Sequence, residues 1–148
     1  MAKLRRAPTS PEEGTARKLA ELDRRLRNRD RVTTEAAHRV SDAGEPAFAG
    51  AWGNSLGFGW RWARFWKDPN GFVWLAGQVG GGVAGTTIFT LPAGYRTLAQ
   101  GGFGGMNFAV AANGAYGSIF LADDGQVQHS VGATTNVSLE GIRFRAEG

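Results

Sequence analysis

The sequence contains no cysteine, which excludes a disulfide framework and thiolate chemistry and leaves the redox compartment unread. Its only two histidines, His38 and His129, fall in different segments without a local ligand partner. Metal sites and Ser-His-Asp arrangements need more than one well-placed histidine, so neither a metal nor another cofactor is expected. His129 alternates with Gln128 and Ser130 on a predicted strand and reads as an exposed or edge residue. Acids are scarce: only eight lie beyond residue 31, and Asp123 and Asp124 are adjacent, so their side chains diverge as in a turn. A glycosidase needs two carboxylates roughly 5–10 Å apart across a cleft. The expectation is a protein that is not an enzyme. No apolar run approaches the roughly 20 residues of a membrane span, which argues against membrane insertion. No apolar segment follows Lys3-Leu4-Arg5-Arg6, so no signal peptide is expected.

What the chain does have is unevenly spread. Of its 23 glycines, only Gly14 lies in the first 31 residues. Glycine at this density beside Val, Ile, Thr and aromatics fits short strands joined by tight turns. Charge is just as lopsided. Residues 1–31 carry ten Lys/Arg against five acids, and the rest carries seven against eight. The pI of about 10.1 therefore belongs to the N-terminus. A nearly neutral body argues against a nucleic-acid-binding surface, which needs clustered Lys/Arg.

Residues 1–10 read as an extended basic arm. Ser10-Pro11-Glu12-Glu13 predicts a helix start, with an N-cap hydroxyl, proline at the first helical position and a carboxylate three residues on. The helix is expected over residues 11–31. Thr15, Leu19, Leu22 and Leu26 fall at helical spacing on one seam, flanked by Arg17, Lys18, Arg24, Arg25 and Arg27. That seam suits a short coiled coil joining subunits, or an amphipathic helix packed on its own β domain; acids at 21, 23 and 30 weaken a nucleic-acid reading. So short a helix is marginal alone in water.

Residues 32–50 read as a connector with a break at Gly44-Glu45-Pro46, and residues 51–148 as a β head. Strands are predicted over Trp60–Lys67, Phe72–Val79, Thr86–Leu91, Tyr95–Ala99, Phe103–Val110, Ala115–Ala122, Gln126–Val131 and Asn136–Arg145. The fold class is mainly β: an antiparallel β-sandwich or jelly-roll-like domain preceded by one short α-helix. Asp68-Pro69-Asn70-Gly71 suits a type I turn, with Gly71 free to take positive φ. It places Trp66 opposite Trp74 and Phe65 opposite Leu75. Asp123-Asp124-Gly125 likewise sets Leu121 against Val127. Pro92-Ala93-Gly94 is a third turn.

Gly80-Gly81-Gly82-Val83-Ala84-Gly85 lacks the Lys-Ser/Thr ending of a phosphate loop, and no helix pattern follows. Gly101-Gly102-Phe103-Gly104-Gly105 leads into a strand. All five tryptophans lie within residues 52–74. Trp66 and Trp74 read as a core or subunit-interface layer. Trp52 and Trp60 lie among glycines near loop ends, where a ring could stack on a sugar.

Several short motifs, in order, resemble a widespread family of C-terminal domains of phage tail and appendage proteins. They are Gly44-Glu45-Pro46-Ala47-Phe48 with Trp52-Gly53-Asn54, then Phe65-Trp66-Lys67-Asp68-Pro69-Asn70-Gly71-Phe72-Val73 with Leu75-Ala76-Gly77. Leu91-Pro92-Ala93-Gly94-Tyr95-Arg96, Asp124-Gly125-Gln126-Val127 and Val137-Ser138-Leu139-Glu140-Gly141-Ile142-Arg143-Phe144 complete the set, which spans roughly residues 44–145. Thr97 stands where the family often has proline. The resemblance implies a homotrimeric β head at a fibre or baseplate tip, contacting host cell-wall glycan. It also implies a virion location, with the basic N-terminus docked on other virion proteins. A capsid decoration or tail-assembly subunit without receptor binding is the alternative. No residue-level binding set follows from the family. By chemistry and loop placement, Trp52, Asn54, Asn107, Asn113 and Tyr116 are the candidate ligand-binding residues.

Overall fold

A computed structural model describes residues 10–29, 34–98 and 104–147; residues 1–9 of the expected arm and the strand start at Phe103 lie outside them. The described chain forms two units, one up to Thr33 and one from Thr34 onward.

In the first unit, helix α1 spans Pro11–Arg29. Its start follows from the local sequence: the Glu13 amide donates to Ser10 Oγ at 3.3 Å, and Glu12 and Glu13 place negative charge in the first turn, where the helix dipole favours it. Arg25 pairs with Glu21 at 2.7 Å, and Arg27 with Asp23 one turn back. Such exposed i,i+4 pairs contribute only a few tenths of a kcal/mol each, ~0.3–0.5. Thr15 Oγ1 donates to the Pro11 carbonyl at 2.9 Å, and Leu19, Leu22 and Leu26 are each more than half exposed. The remainder of the expected helix, to Arg31, lies outside the described residues.

The second unit is built from strands β1 His38–Arg39, β2 Gly53–Asn54, β3 Arg64–Lys67, β4 Phe72–Ala76, β5 Gln78–Gly80, β6 Thr87–Thr90, β7 Gly105–Ala112, β8 Ala115–Ala122, β9 Gln126–Val131, β10 Val137–Ser138 and β11 Arg143–Arg145. They form two antiparallel sheets, one ordered β1-β3-β4-β11 and the other β2-β5-β10-β7-β8-β9-β6. The fold is mainly β, as the glycine-punctuated pattern implies. The hairpin register also follows the turn chemistry. Trp66 pairs with Trp74 and Phe65 with Leu75, Leu121 pairs with Val127, and Gly71 sits at φ +83°.

Two expected long strands each divide between the sheets. Residues 72–79 run in the four-stranded sheet as β4, then cross to the seven-stranded sheet as β5, turning at Gly77. There φ is +103°, and a Cβ would lie 2.3 Å from the Trp62 carbonyl oxygen, so only glycine fits. Residues 137–145 make the reverse crossing, from β10 to β11. Strands that change sheet at a bend close the corners of a sandwich, and both inner faces then supply one core.

That core contains Phe65, Val73 and Leu75 from one sheet, Ile119, Leu121, Val127 and Val137 from the other, and Leu139, Ile142 and Phe144 along the return crossing. The expected connector differs from the observed structure. Its described residues belong to the head: β1 pairs with β3, Val40 is fully buried, and Phe48 bridges to Phe89. Val40 and Phe48 are too widely spaced to show a period, yet each meets apolar core. In the expected strand Tyr95–Ala99, the described residues 95–98 form a bend and a single bridge from Thr97 to Ala146 instead, and Ala99 lies outside the described residues.

Candidate functional site

The five candidate ligand residues do not converge. Trp52 is not a surface platform. It is 5 % exposed, its indole N–H donates to Thr86 Oγ1 at 2.9 Å, and its ring lies 5.6 Å from that of His129. The glycine string packs over it: a Cβ at Gly82 would come within 2.0 Å of the indole. Burying so large a ring against glycine satisfies its apolar area while the N–H keeps a partner. His129 likewise is buried rather than exposed. Its Nδ1 lies 3.3 Å from the Gly85 amide, which donates to it, and its Nε2 lies 3.1 Å from the Ala133 carbonyl. Those partners assign the Nε2–H neutral tautomer. A bulge in the β8–β9 ladder, between Ser118 and Ile119, lies beside it.

Asn54 is committed to the fold, because its Oδ1 accepts the Ala63 amide at 2.7 Å. Asn113 and Gly114 form the two-residue turn of the β7–β8 hairpin, at φ +52° and +78°, values that suit a type I′ turn. Asn136 Nδ2 donates to Asn113 Oδ1 at 3.2 Å, and Asn136 Oδ1 accepts Ser55 Oγ at 2.6 Å. Tyr116 stands beside this turn and is 67 % exposed. Asn107 is exposed on the same hairpin but six residues from Asn113, about 20 Å along a strand. Asn113 and Tyr116 therefore share one end of the sandwich, and Asn107 stands apart.

Two arrangements that the sequence did not bring together emerge from the fold, the first including Trp60 and the second Trp66 and Trp74, which are half-buried on an outer face rather than in the core. The first is an aromatic loop at Gly57–Gly59. Phe58 is 95 % exposed and held at φ +60°, a conformation that costs a bulky residue about 1–3 kcal/mol. Its ring lies 5.4 Å from that of Trp60.

The second is the outer face of the four-stranded sheet. Alternation puts Phe65, Val73, Leu75 and Phe144 inward and leaves Arg64, Trp66, Phe72, Trp74, Arg143 and Arg145 outward. Arg39, paired with Arg64, joins them. Each guanidinium lies over a ring: Arg39 over Trp62 at 5.3 Å, Arg64 over Trp66 at 5.8 Å, Arg143 over Phe72 at 4.7 Å and Trp74 at 5.1 Å, and Arg145 over Phe72 at 5.9 Å. Asp68 closes one edge by accepting from the Trp74 indole N–H at 3.0 Å and from the Asn70 and Phe72 amides at 2.9 and 3.0 Å. The indole hydrogen bond, more than the amides or the charge of Arg143, holds its carboxyl below the usual carboxylate range.

A hydrogen-bonded strap lies at the edge of the same sheet. His38 Nδ1 meets Glu45 at 2.7 Å, its Nε2 meets the Tyr95 hydroxyl at 3.1 Å, and Tyr95 donates to Glu35 at 3.0 Å. Glu35 also accepts the Lys67 amide at 2.6 Å. Burial first, and then the Glu35 contact, pushes the Tyr95 phenol up to about 12. His38 thus has carboxylate neighbours that its sequence surroundings did not suggest. They meet opposite edges of the imidazole and so do not converge on one point. Among the described residues, no group of three His, Asp or Glu could hold a metal ion.

No protein-family model and no curated protein matches the sequence. The fold is similar to the crystal structure of the receptor binding protein of Listeria phage PSA. The two share 18 % identity, with a TM-score of 0.59 over 93 % of this chain and 80 % of that one. The likeness is one of fold. It agrees with the mainly β head that the motif series implies.

Proposed function

We propose that the protein is a non-enzymatic virion component of a phage tail appendage, and that it attaches the particle to host-surface carbohydrate. The observation that carries this reading is the fold likeness to a phage receptor binding protein over nearly the whole chain. The motif order along residues 44–145 supports it independently. In this reading α1 joins three copies through Thr15, Leu19, Leu22 and Leu26, and the basic N-terminus docks on acidic surfaces of neighbouring virion proteins. Three heads on one particle raise the effective concentration for a weak sugar contact.

The test is binding of purified, fluorescently tagged protein to host and non-host cells, with polysaccharide chain length followed in parallel. Selective binding to host cells without shortening of the polymer is expected. Equal, negligible binding to both cell types, with infectivity unaffected when the head is removed, would favour a capsid or tail-assembly subunit instead.

A further inference from the structure

The second unit is nearly neutral in sequence, yet the fold segregates its charge. Of the seven Lys/Arg beyond residue 33, four (Arg39, Arg64, Arg143 and Arg145) stand on the outer face of the four-stranded sheet. Asp68 and Glu35 are the acids beside these arginines, and the oxygens of both already accept hydrogen bonds: Asp68 from three N–H donors, Glu35 from the Lys67 amide and the Tyr95 hydroxyl. No described carboxylate forms an ion pair with any of the four arginines. Arg64 Nε is buried without a partner, beside a pocket of about 220 Å³ lined by Thr34, Glu35, Ala37, Arg64 and Trp66.

We infer that this face docks an anionic polysaccharide, held through carboxylate or phosphate groups by the arginine forks. The inference deepens the attachment reading and rests on it for the choice of a glycan. The rings of Trp62, Trp66, Phe72 and Trp74 have guanidinium groups over them, so the face offers N–H donors more than open rings. A surface of open rings would stack neutral sugars or bases; planar guanidinium forks bind two oxygens of a carboxylate or a phosphate at once. Cation–π contacts pre-orient the forks, which lowers the side-chain entropy lost on binding. Arg143 and Arg145, two residues apart on one strand, are spaced about 6.6 Å, a separation that suits successive anionic groups of a polymer. The chain's own N-terminal segment is no fit, since it carries ten basic residues against five acids. A second copy meeting this face about a twofold axis would set arginine against arginine.

The experiment uses the full chain and four probes: polygalacturonate, phosphomannan, neutral dextran and single-stranded oligodeoxythymidine. Binding is read by tryptophan fluorescence and calorimetry at low and at physiological salt. At least one of the anionic polysaccharides is expected to bind at least tenfold more tightly than dextran, and more weakly as salt rises. The Arg143→Gln/Arg145→Gln variant is expected to lose at least tenfold. Lys18→Gln/Arg24→Gln, which removes the same charge from α1, is expected to stay within twofold. Near-UV circular dichroism checks that the sheet persists, and Arg143→Lys/Arg145→Lys keeps the charge while removing the fork, with an intermediate loss expected.

Equal loss in the helix variant, no loss in either arginine variant, or tighter binding of the oligonucleotide than of both polysaccharides would overturn the inference. Host-cell binding separates it from the attachment reading. Cells bound equally by wild type and by the double glutamine variant would overturn the assigned face while attachment stands. A wild type that ignores host cells but binds anionic polysaccharide through these arginines would overturn attachment and uphold the face.

Discussion

Trp66 and Trp74 stand directly opposite each other on β3 and β4, with ring planes parallel to within 2° and centroids 6.3 Å apart. A cross-strand aromatic pair of this kind contributes about 0.5–1.5 kcal/mol beyond the area it buries. It also forms the floor on which Arg64 and Arg143 lie. The hairpin that creates the pair is closed by Asp68, and the first prediction concerns that residue.

Asp68 has a folded pKa below its ordinary value of 3.8. Its ionised form therefore adds stability that is fully present above that value and fades as pH falls through the folded pKa. Asp68→Ala should cost about 1–2 kcal/mol at neutral pH, because three N–H groups lose their acceptor in a partly exposed turn. It should also remove part of the stability loss below pH 4. Urea midpoints measured from pH 2 to pH 7 check both effects.

Tyr95 carries the opposite dependence. Its phenol is raised from 10.0 to about 12 in the folded protein, so the neutral form stabilises the fold below pH 10, and that contribution disappears between pH 10 and 12. The sequence has two tyrosines, so in a Tyr116→Phe background the remaining tyrosinate absorbance reports Tyr95 alone. Its titration should be displaced to about pH 12. Glu35→Gln in that background should bring it down, since Glu35 is a named cause of the rise.

Gly77→Ala should be among the most damaging single-atom additions in the head. The Cβ has no room beside the Trp62 carbonyl, and φ +103° is unfavourable for any side chain. Roughly 2–4 kcal/mol is expected from backbone strain and overpacking together. A lowered urea midpoint with an unchanged slope is the readout. Gly14→Ala is the natural contrast, because a Cβ there meets nothing within 4 Å and alanine favours the helix.

The proposed trimer predicts that Leu22→Glu lowers the oligomeric state while the β head stays folded. Native mass spectrometry reads the first and near-UV circular dichroism the second. A wild-type monomer at micromolar concentration would remove the basis for the seam.

Several features were legible because they depend on few neighbours in the chain. Ser10-Pro11-Glu12-Glu13 starts α1 through contacts within one turn, and Asp68-Pro69-Asn70-Gly71 sets the Trp66–Trp74 register through the geometry of one loop. Asn113-Gly114, at φ +52° and +78°, carries an equally local hairpin signal. Trp52 and His129 misled for the converse reason. Glycines around a tryptophan suggest an exposed loop, whereas here the missing Cβ atoms let backbone pack onto the ring, and His129 finds its partners at Gly85 and Ala133 across a different part of the chain.

Composition, turn chemistry and alternation by themselves determined a mainly β head, a capped helix and the pairing of its tightest hairpins, because each is decided over a handful of bonds. Which strand joined which sheet was decided by tertiary structure, since Gly77 and the β10–β11 return cross between layers only when both sheets exist to receive them. The charge of the head shows the same division. Counted along the chain it is nearly zero, but Arg39, Arg64, Arg143 and Arg145 come from three strands far apart in sequence. Only sheet pairing sets them side by side, and charges create a common field through proximity in space rather than order in the chain.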